Sequence, residues 1–146
     1  MYKNILVPVD LNDEGFADKA IELAVWHAKN SDAKVHLLTV LPGIHNSMVA
    51  TYFPKDAASQ MKKDVKAQLQ KVADESLTKA KISNEAHVAE GKPYAAILKH
   101  ADKLNVDLII MPSHKRSKLN KAVLGSVASK VVQSAKVSVL VVKPQG

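Results

Sequence analysis

Five short runs rich in β-branched residues and leucine alternate along this chain with segments whose apolar residues recur at helical spacing. The runs occupy residues 3–9, 34–41, 84–90, 106–111 and 137–143, and the helical segments fall around residues 17–28, 65–73, 94–101 and 124–132. Strands joined through crossover helices form a parallel sheet that is covered on both faces. The alternation therefore predicts an α/β fold: a single doubly wound domain over residues 1–146, with a five-stranded parallel sheet and helices on both faces.

The composition narrows the functional classes. The chain contains no cysteine, which excludes disulfides, thiolate zinc sites and thiol catalysis. No apolar run approaches the ~20 residues that span a bilayer, and no leader-like segment precedes the first strand, so we expect a cytoplasmic protein without membrane insertion. A net charge of +7 suits nucleic-acid binding, but one Trp, three Tyr and two Phe provide few stacking platforms. We therefore expect no nucleic-acid partner.

The segment LIIMPSHKRSKLNKAVLGS, residues 108–126, runs from an apolar strand through a basic loop to Gly-Ser at the start of a helix. Unpaired backbone N–H groups at a helix N-terminus favour anions, and nearby lysine or arginine adds full charges. Residues 1–107 contain 14 basic and 14 acidic side chains, whereas residues 108–146 contain 7 basic and no acidic ones. The segment therefore predicts a phosphate site, in which Gly125 allows close approach and Ser126 offers its N–H and hydroxyl groups.

These features also have ordinary structural interpretations. Gly125 and Ser126 would then simply begin a helix, and the basic residues Lys115, Arg116, Lys118 and Lys121 would form a solvated face or a nucleic-acid patch. Ligands of open parallel sheets bind beyond the carboxyl ends of the strands, where the winding reverses. The sequence alone leaves the strand order open. In the order 3-2-1-4-5, which we expect, Asp10 after the first strand lies opposite residues 111–114 after the fourth.

Four motifs, in this order, resemble the universal stress protein family. They are ILVPVD at residues 5–10, DLIIM at residues 107–111, LGSVA at residues 124–128 and SVLVVK at residues 138–143. The resemblance covers essentially the whole chain. It implies a Rossmann-like fold, a homodimer that pairs through the C-terminal strand, and a cytoplasmic role in stress responses.

Nucleotide-binding members of that family carry G-x2-G-x9-G-[ST] after the fourth strand. Here the frame falls on Pro112, Lys115 and Gly125-Ser126, so the spacing is intact while two glycines are replaced. Pro112 fixes φ at about −65° and donates no hydrogen bond. Lys115 would either fill the phosphate pocket or clamp a phosphate as a point charge, and we favour the clamp.

The resemblance implies ATP or a related adenine nucleotide as ligand, with Mg²⁺ able to accompany it. Asp10 and Val40 would hold the nucleoside, although Asp10 could instead cap a turn. The phosphates would be held by Ser113, Lys115, Gly125, Ser126 and Val127. The full set of candidate binding residues is Pro8, Val9, Asp10, Val40, Met111, Pro112, Ser113, Lys115, Gly125, Ser126 and Val127.

No G-x-S-x-G nucleophile elbow is present, and the six histidines show no metal-ligand spacing, so we assign no catalytic residue and no protein metal site. The first hypothesis is a stress-response protein that binds adenine nucleotide as a signal with little or no hydrolysis; weak ATPase or phosphotransfer activity stays open. The alternative is a nucleotide-independent, dimeric interaction protein, in keeping with the two replaced glycines. The irregular residues 42–54, PGIHNSMVATYFP, would form a lid or a partner contact.

Overall fold

The structure is a computed structural model that describes residues 1–13, 15–41, 55–113 and 124–143. Its strands are β1 Asn4–Pro8, β2 Lys34–Leu41, β3 Asn84–Glu90, β4 Leu108–Pro112 and β5 Ser138–Val142. Its helices are α1 Asp18–Ser31, α2 Lys55–Ala73, α3 Pro93–Lys103 and α4 Ser126–Ser134, and a π-helical turn, Asp74–Thr78, extends α2. Within these ranges no helix has both the length and the apolar character needed to cross a membrane.

The five strands are parallel and lie in the order β3-β2-β1-β4-β5, which confirms the predicted fold class and strand order. The central strand is β1, where Leu6 lies opposite His36 of β2 on one side and Ile109 of β4 on the other. The two edges of the sheet are β3 and β5. The direction of winding reverses between β1 and β4, so the carboxyl ends of these two strands frame a crevice.

Alternate side chains of the strands enter two separate hydrophobic cores. The face that includes Ile5 and Val7 packs against α1, α2 and the π-helical turn. The opposite face, with Leu6 and Ile109, packs against α3 and α4. Because both faces are covered, the central strands are apolar at nearly every position rather than at every second one. This arrangement confirms that helices lie on both faces.

The helix sequences explain which side of each helix is buried and where one of them begins. The buried side of α1 consists largely of alanines at intervals of four residues, Ala20, Ala24 and Ala28, which let the helix approach the strands closely. The helix α3 starts with Pro93, whose missing N–H would have no partner in the first turn. In α4, Ala128 and Val131 face the core, whereas Val132, which the periodicity placed on the same apolar side, is 44% exposed.

The fourth strand begins and ends later than the sequence predicted. Asn105 has a left-handed backbone, with φ of 54°, and Asp107 belongs to the turn rather than to the strand. The Asp107 carboxylate accepts the backbone N–H groups of Lys3 at 2.9 Å and Asn4 at 3.1 Å, which ties the start of β1 to the start of β4. At the other end Pro112 is the last residue of β4 and lies opposite Val142 of β5.

Candidate functional site

A cavity of about 370 Å³ opens at the carboxyl ends of β1 and β4, where the winding of the sheet reverses. This is the position at which doubly wound folds bind ligands, and the volume lies within the range of small-molecule sites. The lining residues come from β1 and the turn after it, from β2, and from the ends of α3, β4 and α4 that face the crevice. They are Pro8, Val9, Asp10, Asn12, Phe16, Leu38, Val40, Pro93, Ile97, Met111, Pro112, Ser113, Gly125, Ser126 and Val127.

The structure brings together all the predicted binding residues that it describes. Pro8, Val9, Asp10, Val40, Met111, Pro112, Ser113, Gly125, Ser126 and Val127 line the cavity. Lys115 lies outside the described residues, as do the rest of the basic loop before residue 124 and residues 42–54. Five further lining residues were not among those predicted: Asn12, Phe16, Leu38, Pro93 and Ile97. Leu38 and Ile97 could have been found, because alternation along β2 and the apolar side of α3 extend the core toward the strand ends.

Asp10 has a structural role and a position in the cavity at once. Its Oδ1 accepts the backbone N–H of Asn12 at 3.0 Å, and its carbonyl oxygen accepts the N–H of Asp13 at 3.2 Å. The carboxylate therefore caps the turn after β1, as the ordinary interpretation expected. It also lines the cavity, and a carboxylate has several acceptor positions. Capping the turn holds the side chain in place at the wall of the cavity.

Ser113 supplies a buried hydroxyl. The residue is 8% exposed, and its Oγ has no hydrogen-bond partner among the residues that the structure describes. Its backbone N–H donates to the carbonyl of Val142 at 2.9 Å and so continues the pairing of β4 with β5. The hydroxyl is thus the part of Ser113 that can serve a ligand. A buried polar group without a partner is unfavourable, so a ligand that accepts its hydrogen bond would be favoured.

The N-terminus of α4 also faces the cavity. Gly125 precedes the helix with φ of 90°, a backbone conformation that glycine adopts without strain. Intrahelical bonding begins with the N–H of Ser129, which donates to the carbonyl of Gly125 at 3.0 Å, and no described side chain caps the helix. The N–H groups at the start of the helix are therefore available to an anion, and the helix dipole favours one there. This is the geometry that the Gly-Ser motif predicted.

Apolar side chains form much of the remaining wall. Leu38, Val40 and Ile97 belong to or border the core on the α3 and α4 side of the sheet, and Phe16 and Pro93 approach from the two neighbouring segments. An apolar wall next to hydroxyl and backbone N–H groups suits a ligand with a flat, weakly polar part and an anionic part. A nucleotide has both.

A second group of titratable side chains lies outside the cavity, and none of the motifs singled out in the sequence had pointed to it. His36 on β2 lies beside Glu85 and His87 on β3. Burial, together with the neighbouring His87, lowers the pKa of His36 to about 4, and burial also lowers the pKa of His87. A hydrogen bond from Lys34 lowers the pKa of Glu85. The signal was the Glu-x-His spacing at residues 85–87, which places both side chains on one face of a strand.

Comparisons with known proteins identify the family and agree with this fold. The family model for the universal stress protein family matches residues 1–143. Universal stress protein G of Salmonella typhimurium is 33% identical over 147 residues, which cover 98% of this chain and 100% of that protein. Universal stress protein MJ0531 of Methanocaldococcus jannaschii is 32% identical over 151 residues, covering 98% of this chain and 83% of that protein.

The comparison with solved structures finds the same fold. The protein MJ0577 superposes with a TM-score of 0.82 at 27% identity and covers 100% of this chain and 99% of its own. Two universal stress proteins with this fold were solved with ligands. One, in complex with cAMP, has a TM-score of 0.67 at 23% identity, covering 97% of this chain and 96% of its own. The other, from Archaeoglobus fulgidus in complex with dAMP, has a TM-score of 0.66 at 20% identity, covering 96% and 97%. The chain therefore belongs to the universal stress protein family.

Proposed function

We propose that this protein binds ATP or a related adenine nucleotide in the cavity between β1 and β4, and that the nucleotide acts as a signal in a cytoplasmic stress response. The observation that carries the proposal is that the Ser113 hydroxyl, which has no partner among the residues the structure describes, and the N-terminus of α4 line the same cavity as an apolar wall. The cAMP and dAMP complexes of two proteins with this fold support a ligand that combines adenine with a phosphate.

Each part of the nucleotide has matching groups in the cavity. The adenine would lie against Val40 and its apolar neighbours, and Asp10 would accept hydrogen bonds from the ribose. The phosphates would meet the hydroxyl groups of Ser113 and Ser126 and the backbone N–H groups at Ser126 and Val127. Lys115 would add a positive charge from the loop between β4 and α4.

Magnesium would reach this site with the nucleotide. Mg²⁺ prefers oxygen ligands and usually keeps several waters, and it binds through one or two carboxylates together with substrate phosphates. Among the described lining residues, Asp10 is the carboxylate that could contribute. Its oxygens, with those of the phosphates and water, would hold the cation.

The residues that line the cavity are consistent with slow hydrolysis of the nucleotide or none. Phosphoryl transfer to water needs a group that orients or deprotonates the attacking water. The described lining includes no histidine, glutamate or lysine, and the Asp10 carboxylate would be engaged by the ribose and by Mg²⁺. We therefore propose that the protein holds the nucleotide rather than consuming it.

A second candidate function is a nucleotide-independent protein that acts through dimerisation and partner contacts. Two observations favour it. Pro112, which stands where nucleotide-binding relatives carry glycine, donates no hydrogen bond to a ligand. The half-buried edge strand β5 is a surface on which a second copy could pair.

Mass spectrometry of small molecules released from the denatured, purified protein tests the proposal, and an adenine nucleotide is the expected result. Calorimetry with ATP on nucleotide-free protein then tests the site itself. Ser126→Ala should weaken ATP binding about tenfold, the effect of losing one hydrogen bond to a charged group. The matched control is Ser129→Ala, one turn further along α4 and outside the lining. Folded protein that binds none of ATP, ADP, AMP and cAMP at millimolar concentration would contradict the proposal and leave the second candidate.

A further inference from the structure

His36, Glu85 and His87 place three ligand atoms together at one edge of the sheet. The Nδ1 of His36 lies 3.0 Å from the Nε2 of His87, and these atoms and a carboxylate oxygen of Glu85 all lie within 4.8 Å of one another. The pairing of β2 with β3 creates the group, because His36 lies opposite Glu85 and His87 is two residues further along β3 on the same face. None of the three lines the nucleotide cavity.

The surroundings leave the group open at one side. His36 is buried, His87 is half-buried and Glu85 is exposed, so the carboxylate stands where the group meets solvent. Lys34 contacts Glu85 through Oε2 at 2.9 Å, which leaves the second carboxylate oxygen for another partner. His100 of α3 approaches His87 with ring centroids 6.2 Å apart, and Lys66 of α2 acts on His87 electrostatically.

We propose that His36, Glu85 and His87 form a binding site for a divalent transition-metal cation of the zinc class. Two imidazoles and one carboxylate are a donor set that zinc uses, with water completing the coordination. Two imidazole nitrogens at zinc bond lengths of 2.0–2.1 Å lie about 3.3 Å apart in a tetrahedral site. The observed distance of 3.0 Å between His36 Nδ1 and His87 Nε2 therefore needs to lengthen only slightly for both nitrogens to bind one cation.

The protonation of the two rings fits this role. Metal ligands must be neutral imidazoles, and burial lowers the pKa of both histidines, which favours the uncharged form of each ring. In the absence of metal, one ring donates its N–H to the other across the 3.0 Å contact. Metal binding would replace that hydrogen bond, and the donor ring would carry its proton on its other nitrogen.

The bound cation would cross-link the edge strand β3 to β2. No residue between Ser83 and Glu90 belongs to the most deeply buried part of the core, and Ala86 is the buried apolar side chain of the strand. A metal that binds the folded but not the unfolded chain stabilises the fold, by an amount that grows with the logarithm of the metal concentration above its Kd. The site would thus stabilise the edge strand β3, which contributes no lining residue to the nucleotide cavity.

Calorimetric titration of tag-free, chelator-treated protein with Zn²⁺ alone, in the absence of nucleotide, tests this inference. One equivalent should bind with saturation, and Co²⁺ in its place should give a visible absorption band that Zn²⁺ removes. His87→Gln and Glu85→Gln should each weaken Zn²⁺ binding at least tenfold, since even the loss of a supporting group costs 10- to 100-fold. His27→Gln, at a histidine that contacts Tyr2 and Trp26 instead, is the matched control and should bind like wild type.

Glu85 is exposed, so Glu85→Gln keeps the test meaningful if a histidine variant does not fold; circular dichroism verifies folding. Zn²⁺ should also raise the melting temperature of wild type and of His27→Gln, and raise it less in Glu85→Gln. Absence of saturable Zn²⁺ binding in wild type would overturn the inference. So would Glu85→Gln and His87→Gln variants that bind Zn²⁺ as tightly as wild type. Because nucleotide is left out, none of these results depends on the proposed function.

Discussion

The hydroxyl of Thr39 on β2 donates a buried hydrogen bond of 2.8 Å to the backbone carbonyl of Val9, the residue that follows β1. The backbone N–H of Val9 in turn donates to the carbonyl of Leu38 at 2.7 Å. These two bonds hold the end of β1 against β2 at the point where the chain turns into Asp10 and the cavity. Thr39 therefore positions the site from outside it, because it is not among the lining residues.

Thr39→Val should destabilise the protein by about 1–3 kcal/mol, since it removes a buried donor and leaves the Val9 carbonyl without that partner. It should also weaken nucleotide binding, because the turn that carries Asp10 loses its anchor. Urea denaturation and calorimetry measure the two effects. Thr39→Ser keeps the hydroxyl and should recover most of the binding; if valine and serine variants bind equally well, Thr39 does not position the site.

Asp10→Ala should lower the affinity for adenine nucleotide by about 1.5–3 kcal/mol, the usual contribution of a hydrogen bond to a charged group. The turn also loses the acceptor of the Asn12 N–H, so a small loss of stability is expected without unfolding. Asp13→Ala removes a neighbouring carboxylate that does not line this cavity and serves as control. Equal affinity in wild type and Asp10→Ala, measured by calorimetry, would remove Asp10 from the site.

Ser113→Ala should have effects of opposite sign on stability and on binding. The buried hydroxyl has no partner in the described part of the chain, so its removal should stabilise the nucleotide-free protein by about 1 kcal/mol. The same change should weaken ATP binding, because the phosphates lose a donor. Denaturation with and without ATP separates the two, and Ser134→Ala on the exposed end of α4 is the control. A variant that is less stable without nucleotide would show that the hydroxyl already has a structural partner.

The protein should form a homodimer through β5. The carbonyl of Val142 points toward β4, where it accepts the N–H of Ser113. Alternate residues of a parallel strand direct their polar groups to opposite sides, so Val141 directs its N–H toward the open edge. Val141→Pro removes that N–H at a position where an edge strand tolerates proline, and should shift the sedimentation mass toward a monomer. Val141→Ala keeps the N–H and should remain dimeric. A dimeric proline variant would place the contact on another surface.

Lys115 distinguishes a modified nucleotide loop from a decayed one. If its ammonium group contacts the phosphates, Lys115→Ala should lower ATP affinity and reduce the salt dependence of binding, while adenosine binding hardly changes. If the side chain instead obstructs the pocket, Pro112→Gly combined with Lys115→Gly should strengthen ATP binding. We expect the loss. Titration of the three proteins with ATP measures it, and tighter binding in both variants than in wild type would contradict the clamp.

The fold could be predicted because its evidence is local. Each short apolar run predicts a strand. Because a helix connects each strand to the next, the strands are predicted to be parallel. The end of β4 could not be located in the same way, because whether Pro112 continues the strand depends on Val142, which is thirty residues further along. The basic loop and Gly-Ser at the start of α4 indicated the position of the cavity, whereas Phe16 and Pro93 reach it through tertiary packing that no motif records.

The group of His36, Glu85 and His87 shows most clearly what the sequence alone could not predict. His36 and His87 are 51 residues apart, and their contact depends on the register between β2 and β3. A slip of one residue would turn His87 to the other face of the sheet. Spacing along the chain therefore gives at most the Glu-x-His pair of β3, and the register between β2 and β3 adds His36 to it.

The tie between Asp107 and the first strand bears on how the chain folds as it is made. The hydrogen bond from the Lys3 N–H to Asp107 joins residues 104 positions apart, and β1 needs β4 as its second neighbour. On the ribosome, β1 must wait with one side unpaired until Asp107, 104 positions after Lys3, and then β4 have emerged. Contacts of such long sequence separation slow folding and leave strand edges exposed in the meantime. We therefore expect chaperones to protect the nascent chain until β4 is made. The interval ends when the Asp107 carboxylate binds the N–H groups of Lys3 and Asn4.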